Sequence, residues 1–128
     1  MREVNRPGQA AYTVTMTVRQ WQIIDATLDN EVDTAVMNGS PPHEVGLGRS
    51  ARQTGWEQIA GSEEQWPPDE EMTSITLTGP QWKLVIGSLE RWSDIAERAG
   101  QSDDAQFGRR IRAVVSAQLP AWPIEDAR

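Results

Sequence analysis

The chain has no cysteine, which excludes disulfides, thiolate metal sites and a cysteine nucleophile together. Its one histidine, His43, excludes a histidine cluster. Lys83 is the one lysine among 12 basic residues, and 19 acidic residues leave a net charge of −7. That deficit of positive charge argues against direct binding to nucleic acid or anionic lipid, and favours plain solubility or a basic partner. Long apolar runs are also missing. No stretch approaches the roughly 20 residues that cross a bilayer, and Met1-Arg2-Glu3-Val4-Asn5-Arg6 lacks the apolar centre of a signal peptide. The expectation is a cytoplasmic protein with no membrane partner. Arginine in place of lysine, with frequent Ala, Gly and Trp, matches the bias of GC-rich bacterial genomes and suggests a phage or mobile-element origin.

What is present is an internal echo. Val14-Thr15-Met16-Thr17-Val18-Arg19-Gln20-Trp21 laid over Ile75-Thr76-Leu77-Thr78-Gly79-Pro80-Gln81-Trp82 matches at both threonines, the glutamine and the tryptophan. Continuing without a gap pairs Ile24 with Val85, Leu28 with Leu89 and Ala35 with Ala96. Downstream, Gln65-Trp66-Pro67 and Ala121-Trp122-Pro123 each run into acidic residues. The spacing there is shorter than at the strands, and the longer connection at 38–48, against 100–102, is the expected place of the difference.

Each copy opens with a strand. Tyr12, Val14, Met16 and Val18 alternate with threonines, as Ile75 and Leu77 alternate with Ser74, Thr76 and Thr78, the pattern of a half-buried strand. Thr17 with Gln20, and Thr78 with Gln81, then have the spacing of a capping box. An amphipathic helix follows in each case, with Trp21, Ile24, Leu28, Val32 and Val36 on one stripe and Trp82, Val85, Leu89, Trp92 and Ala96 on the other. A further helix is predicted over about 103–119, capped by Ser102 or Asp103, with Phe107, Ile111, Val114, Val115 and Leu119 on one face and Pro120 ending it. Its counterpart, roughly 49–60, has a poor stripe and an interior Gly55, which predicts a short or frayed helix.

The fold class expected is therefore α+β, mostly helical: two tandem β-α-α repeats forming one pseudo-two-fold domain with a small two-stranded sheet. The domain is expected to span 1–128, with repeat one at about 11–66, repeat two at about 73–122, and flexible termini at 1–10 and 123–128. Two isolated strands are not stable alone, so they pair with each other or, as the alternative, between the chains of a homodimer.

Residues that carry chemistry are sparse. His43 lies in Gly39-Ser40-Pro41-Pro42-His43-Glu44, read as a loop, and no Ser or Lys arrangement resembles a nucleophile motif. No metal set or cofactor loop is present: Gly79-Pro80 lacks the spacing of a phosphate cradle. A non-enzyme without cofactor or metal is expected. Two candidate surfaces remain. Trp66, Asp69, Glu70, Glu71 and Trp122 form an acidic and aromatic set suited to a basic protein partner, since tryptophan is enriched in interface hot spots. Arg49, Arg52, Arg109, Arg110 and Arg112 are the one basic concentration, suited to phosphate; ion pairs with Asp103 and Asp104 or across the copies are the simpler account of them.

The function expected is a small acidic binding protein that occupies the surface of a partner, as an inhibitor or as a nucleic-acid mimic directed at a basic nucleic-acid-binding protein. Asp25, Asp29, Glu31 and Asp33, with Glu90, Asp94 and Glu97, are the carboxylate faces mimicry needs. The alternative is a small-molecule or nucleotide binder with a Trp- and Arg-lined pocket between the copies.

Overall fold

A computed structural model describes residues 10–59 and 68–120. The elements run β1 (Ala11–Thr17), α1 (Val18–Met37), α2 (Pro42–Gln58), β2 (Met72–Thr78), α3 (Gly79–Arg98) and α4 (Ser102–Ala117). The protein is thus mostly helical, with four helices and one two-stranded sheet among the described residues.

The strands pair with each other antiparallel within the chain, Val14 opposite Ile75 and Thr15 opposite Ser74. Alternation sorts their side chains. Val14, Met16, Ile75 and Leu77 are buried on the core face. On the other face Thr13 and Thr76 share a hydroxyl hydrogen bond of 2.7 Å, and Thr15 and Ser74 one of 3.0 Å. Cross-strand hydroxyl pairs of this kind fix register.

Each strand passes into its helix without a loop, because the capping box makes the turn. Thr17 Oγ1 accepts the Gln20 amide and Gln20 Oε1 accepts the Thr17 amide; Thr78 and Gln81 do the same. Two further orphan amides of α1, those of Val18 and Arg19, donate to the carbonyls of Glu71 and Asp69, and Gly79 donates to Ala10. At the far ends, α1 and α3 both stop in a six-to-one turn. Ser40 N donates to Ala35 O and Gln101 N to Ala96 O, with Gly39 at φ +73° and Gly100 at φ +82° supplying the left-handed residue.

The core lies where the sheet meets the helices. Trp21, Ile24 and Leu28 of α1, Trp82, Val85 and Leu89 of α3, Ala51 of α2 and Ile111 and Val115 of α4 form one buried cluster. Trp92 leaves the predicted stripe: it is half-buried, and its indole donates to Glu31 at 2.9 Å. Val36, at the end of the α1 stripe, is 52% exposed.

Several expectations at the helix ends are corrected. The connection expected at 38–48 is only 38–41, and α2 is a 17-residue helix rather than a frayed remnant beginning near 49. Pro41 and Pro42 read as a loop, yet a proline in the first turn loses no intrahelical bond, so His43 is an exposed residue of that turn. Gly55, taken as a weakness, is a contact: a β-carbon there would overlap the Trp21 ring. The α4 N-cap is Gln101, without a side-chain bond, instead of Ser102 or Asp103. Asp103 and Asp104 fall in its first turn, where carboxylates favour the helix dipole.

Candidate functional site

Of the predicted acidic and aromatic set, Asp69, Glu70 and Glu71 are described, while Trp66 and Trp122 lie outside the described residues. The three acids form an exposed turn closed by the bond from Glu71 N to Pro68 O. Their backbone is committed to capping α1, so the turn is held in place and its side chains face outward.

Arg19 ties this turn to a second acidic group. Its amide donates to Asp69 O at 3.0 Å, its guanidinium lies 3.9 Å from the Asp69 carboxylate, and the same guanidinium sits 5.5 Å from the centre of the Phe107 ring, within the range of a cation–π contact. Phe107 belongs to α4, and Asp103 and Asp104 stand one turn before it. Arg19, Phe107, Asp103, Asp104 and Arg110 together line a shallow depression of about 430 Å³. The surface combines the Phe107 ring, two arginines and the carboxylates of Asp103 and Asp104, with Asp69 on the other side of Arg19's ion pair. Glu70, Glu71, Asp103 and Asp104 make no ion pair among the described residues.

The predicted basic concentration is divided between two helices and mostly used internally. Arg52, on α2, reaches α1: Nε donates to Asp25 at 2.7 Å and Nη1 to Asp29 at 2.8 Å. The hydrogen bond to Asp25, more than any other contact, raises its pKa above the ordinary guanidinium value, against a smaller loss from burial. Arg109, on α4, reaches α3, pairing with Glu97 at 2.5 Å and Asp94 at 3.0 Å; the Glu97 bond, then the Asp94 bond, raises its pKa. Arg112 lies 3.8 Å from Glu90. Arg49 and Arg110 are exposed and make no ion pair among the described residues. These bridges engage Asp25, Asp29, Glu90, Asp94 and Glu97, and Arg91 engages Glu31 at 2.6 Å, so of the seven carboxylates assigned to mimicry only Asp33 is without an ion pair among the described residues.

The sequence suggested a Trp- and Arg-lined pocket between the copies without locating it; two grooves lie among these helices, one with a tryptophan in its wall and one with an arginine. One, of about 310 Å³, lies between α1, α3 and α4, with Ile23, Asn30, Trp92, Phe107 and Asp104 among its walls. The other, of about 390 Å³, lies between α1, α2 and α3 and includes Leu47, Leu84, Glu31, Lys83 and Arg91. The bond from Trp92 to Glu31 joins a wall of the first to a wall of the second. The lone lysine was the available signal for the second groove, but only the packing of three helices brings Leu47, Glu31 and Lys83 to one place.

Among the described residues, no group of three or more His, Asp or Glu side chains has the geometry of a metal site, and no helix is long and apolar enough to cross a membrane. No family model, curated protein or solved structure matches the chain.

Proposed function

We propose that this is a small acidic, non-enzymatic binding protein of the cytoplasm that acts by occupying the basic surface of a partner protein, as an inhibitor does. The observation that carries this reading is the position of Arg19. Its contacts with Asp69 and Phe107 link the acidic turn to the helix whose first turn carries Asp103 and Asp104. An aromatic anchor with a charged rim is the arrangement that combines interface energy with electrostatic steering. The internal use of Arg52, Arg91, Arg109 and Arg112 supports it further, because those cations are already paired and compete less for the outward carboxylates.

The same reading takes the scaffold as two copies of one β-α-α unit about a pseudo-two-fold axis, of the kind a mobile element acquires by duplication. Matched details support this. Gly48 crosses Val32 as Gly108 crosses Ser93, Arg52 reaches Asp29 as Arg112 reaches Glu90, and the capping boxes and terminal turns of α1 and α3 are alike.

The test is capture of partners from a lysate by the intact protein and by a variant carrying Glu70→Lys, Glu71→Lys, Asp103→Lys and Asp104→Lys, at low and high salt. A protein retained by the native chain at low salt, and lost both at high salt and with the variant, is the expected result. The same proteins recovered with both chains at every salt concentration overturn the reading.

A further inference from the structure

We propose that Asn38-Gly39, at the corner between α1 and α2, is a self-modifying site, where the asparagine becomes aspartate and isoaspartate through attack by its own backbone and water. The proposal is independent of the acidic-surface reading above. The chemistry needs a carboxamide whose next amide nitrogen is free of side-chain bulk, and glycine meets that need best. Asn38-Gly39 is the one such pair in the chain. Both residues are exposed. The Asn38 side chain makes no hydrogen bond among the described residues, and a β-carbon on Gly39 would meet nothing within 4 Å.

Asn38 ends α1 at φ −89° and ψ 0°, and Gly39 follows at φ +73°. The Gly39 amide donates to Val36 O at 3.1 Å, so one hydrogen bond in a terminal turn must open before the nitrogen can swing onto the side chain. Terminal turns open at the lowest cost of any part of a fold. Asn30, the other described asparagine, lies within α1 and is followed by Glu31, where the helix holds the backbone and a side chain crowds the nitrogen. The matching turn at the end of α3 supplies a contrast. Gly100 N donates to Glu97 O and Gln101 N to Ala96 O, as Gly39 and Ser40 do to Val36 and Ala35, but Ala99 stands where Asn38 does and has no group to react.

The step balances without any further reactant than water. Gly39 N gives up its proton to hydroxide and attacks Cγ of Asn38; the N–Cγ bond forms, the Cγ–Nδ2 bond breaks, and ammonia leaves, closing a five-membered imide. Water then opens either carbonyl. Cleavage of the N–Cγ bond leaves aspartate on the original backbone, and cleavage of the original peptide bond leaves the chain running through the side chain as isoaspartate. Either product places a carboxylate at the end of α1, whose last turn has no basic residue and where the helix dipole disfavours negative charge; α3 ends on Arg98. Isoaspartate also adds a carbon to the backbone of the short connection 38–41, which draws Ser40 N away from Ala35 O. The corner that carries α2 onto α1 thus loosens with the age of the molecule.

The experiment incubates the intact protein at neutral and at mildly alkaline pH and follows its mass, its peptide map and its thermal unfolding. A gain of one mass unit located at Asn38 is expected, faster in proportion to hydroxide, with isoaspartate among the products and a Tm that falls by a few degrees as conversion proceeds. Asn38→Ala, which copies Ala99, should neither gain mass nor lose Tm over the same period. Asn38→Asp supplies the charge without the isomer and should melt above the fully aged native chain. A native chain of constant mass while its urea-unfolded form converts, a gain located elsewhere, an equal gain in the Asn38→Ala variant, or a converted chain that melts like the fresh one would each overturn the proposal.

Discussion

The side-chain amide of Gln118 occupies the outer edge of β1 as a neighbouring strand would: its Oε1 accepts the Thr15 amide at 2.8 Å and its Nε2 donates to the Thr15 carbonyl at 2.8 Å. Gln58 does the same at the outer edge of β2, where it takes both backbone groups of Thr76 at 2.7 Å. Each glutamine also donates to the carbonyl four residues before it, Thr54 or Val114, so the last turn of the helix fixes the amide in place. A two-stranded sheet has two open edges, and exposed edges invite pairing with other chains. The capping glutamines Gln20 and Gln81 already occupy the amides of Thr17 and Thr78. Gln118 and Gln58 thus block the middle of each edge.

Replacing them is expected to separate stability from association. In Gln58→Leu the backbone groups of Thr76 lose their partners in a partly buried setting, and the cost should be about 2–3 kcal/mol. In Gln118→Leu the Thr15 groups are exposed and water replaces the amide, so the cost should be about 1 kcal/mol, while the freed edge promotes self-association. Urea unfolding with sedimentation of both variants checks this; a monomeric Gln118 variant at high protein concentration would show that the glutamine is not what protects the edge.

Two glycine substitutions should act with opposite signs. A methyl group at Gly55 overlaps the Trp21 ring, whose centre is held by its edge-on contact with Trp56 at 6.3 Å, so Gly55→Ala should destabilise by about 2–3 kcal/mol through overpacking. Gly87, within α3, has nothing within 4 Å of its would-be β-carbon, and Gly87→Ala should stabilise by about 0.5–1 kcal/mol from helix propensity alone. Thermal unfolding of the pair under one condition decides it.

Local signals made most of this architecture readable. Alternating threonines, a Thr-x-x-Gln box and an apolar stripe act within a few residues, so β1, β2, α1, α3 and, from its stripe, α4 were evident from the sequence. The beginning of α2 was not, because Pro41-Pro42-His43 has the composition of a loop and only the absence of a lost bond at a first-turn proline distinguishes the two. Gly55 lowers local helix propensity for the benefit of a contact 34 positions away in the chain, at Trp21, which no window reveals. The candidate surface was half legible. Asp69, Glu70 and Glu71 stood out as a charge run, but their neighbours Phe107, Asp103 and Asp104 come from the far end of the chain and meet them only through Arg19. The edge role of Gln58 and Gln118 depends on knowing which strand lies beside which helix.

The two core tryptophans, alike in sequence, are expected to differ in energy. Trp82 Nε1 donates to the Tyr12 carbonyl at 2.8 Å, whereas Trp21 Nε1 is buried with no partner among the described residues. Trp82→Phe removes a ring and leaves a carbonyl short of one donor; Trp21→Phe removes a ring together with an unpaired donor, whose burial is itself unfavourable. After allowance for the weakened contact of Trp21 with Trp56, Trp82→Phe should be the more destabilising by about 1–2 kcal/mol. Denaturant midpoints of the two variants test this, and equal losses would mean that the Trp21 indole finds a hydrogen bond in solution.

The fork of Arg52 makes a prediction about pH as well as about substitution. Its pKa is raised in the folded state, chiefly by the hydrogen bond to Asp25. A group raised on folding contributes stability that is complete below its unfolded value and lost as pH rises through the folded one. For a guanidinium that window lies on the far alkaline side, so the Arg52 contribution should be constant through neutral pH. Arg52→Lys keeps the charge but loses the planar fork that reaches Asp25 and Asp29 at once. With a third of the side chain exposed, solvent screening limits the loss to about 1 kcal/mol. The lysine ionises within reach of experiment, so the Lys variant should lose further stability between about pH 10 and 11, where the native chain keeps its pair. Urea unfolding across that range reads the difference; parallel stability curves for the two proteins would show that the bridge contributes nothing measurable.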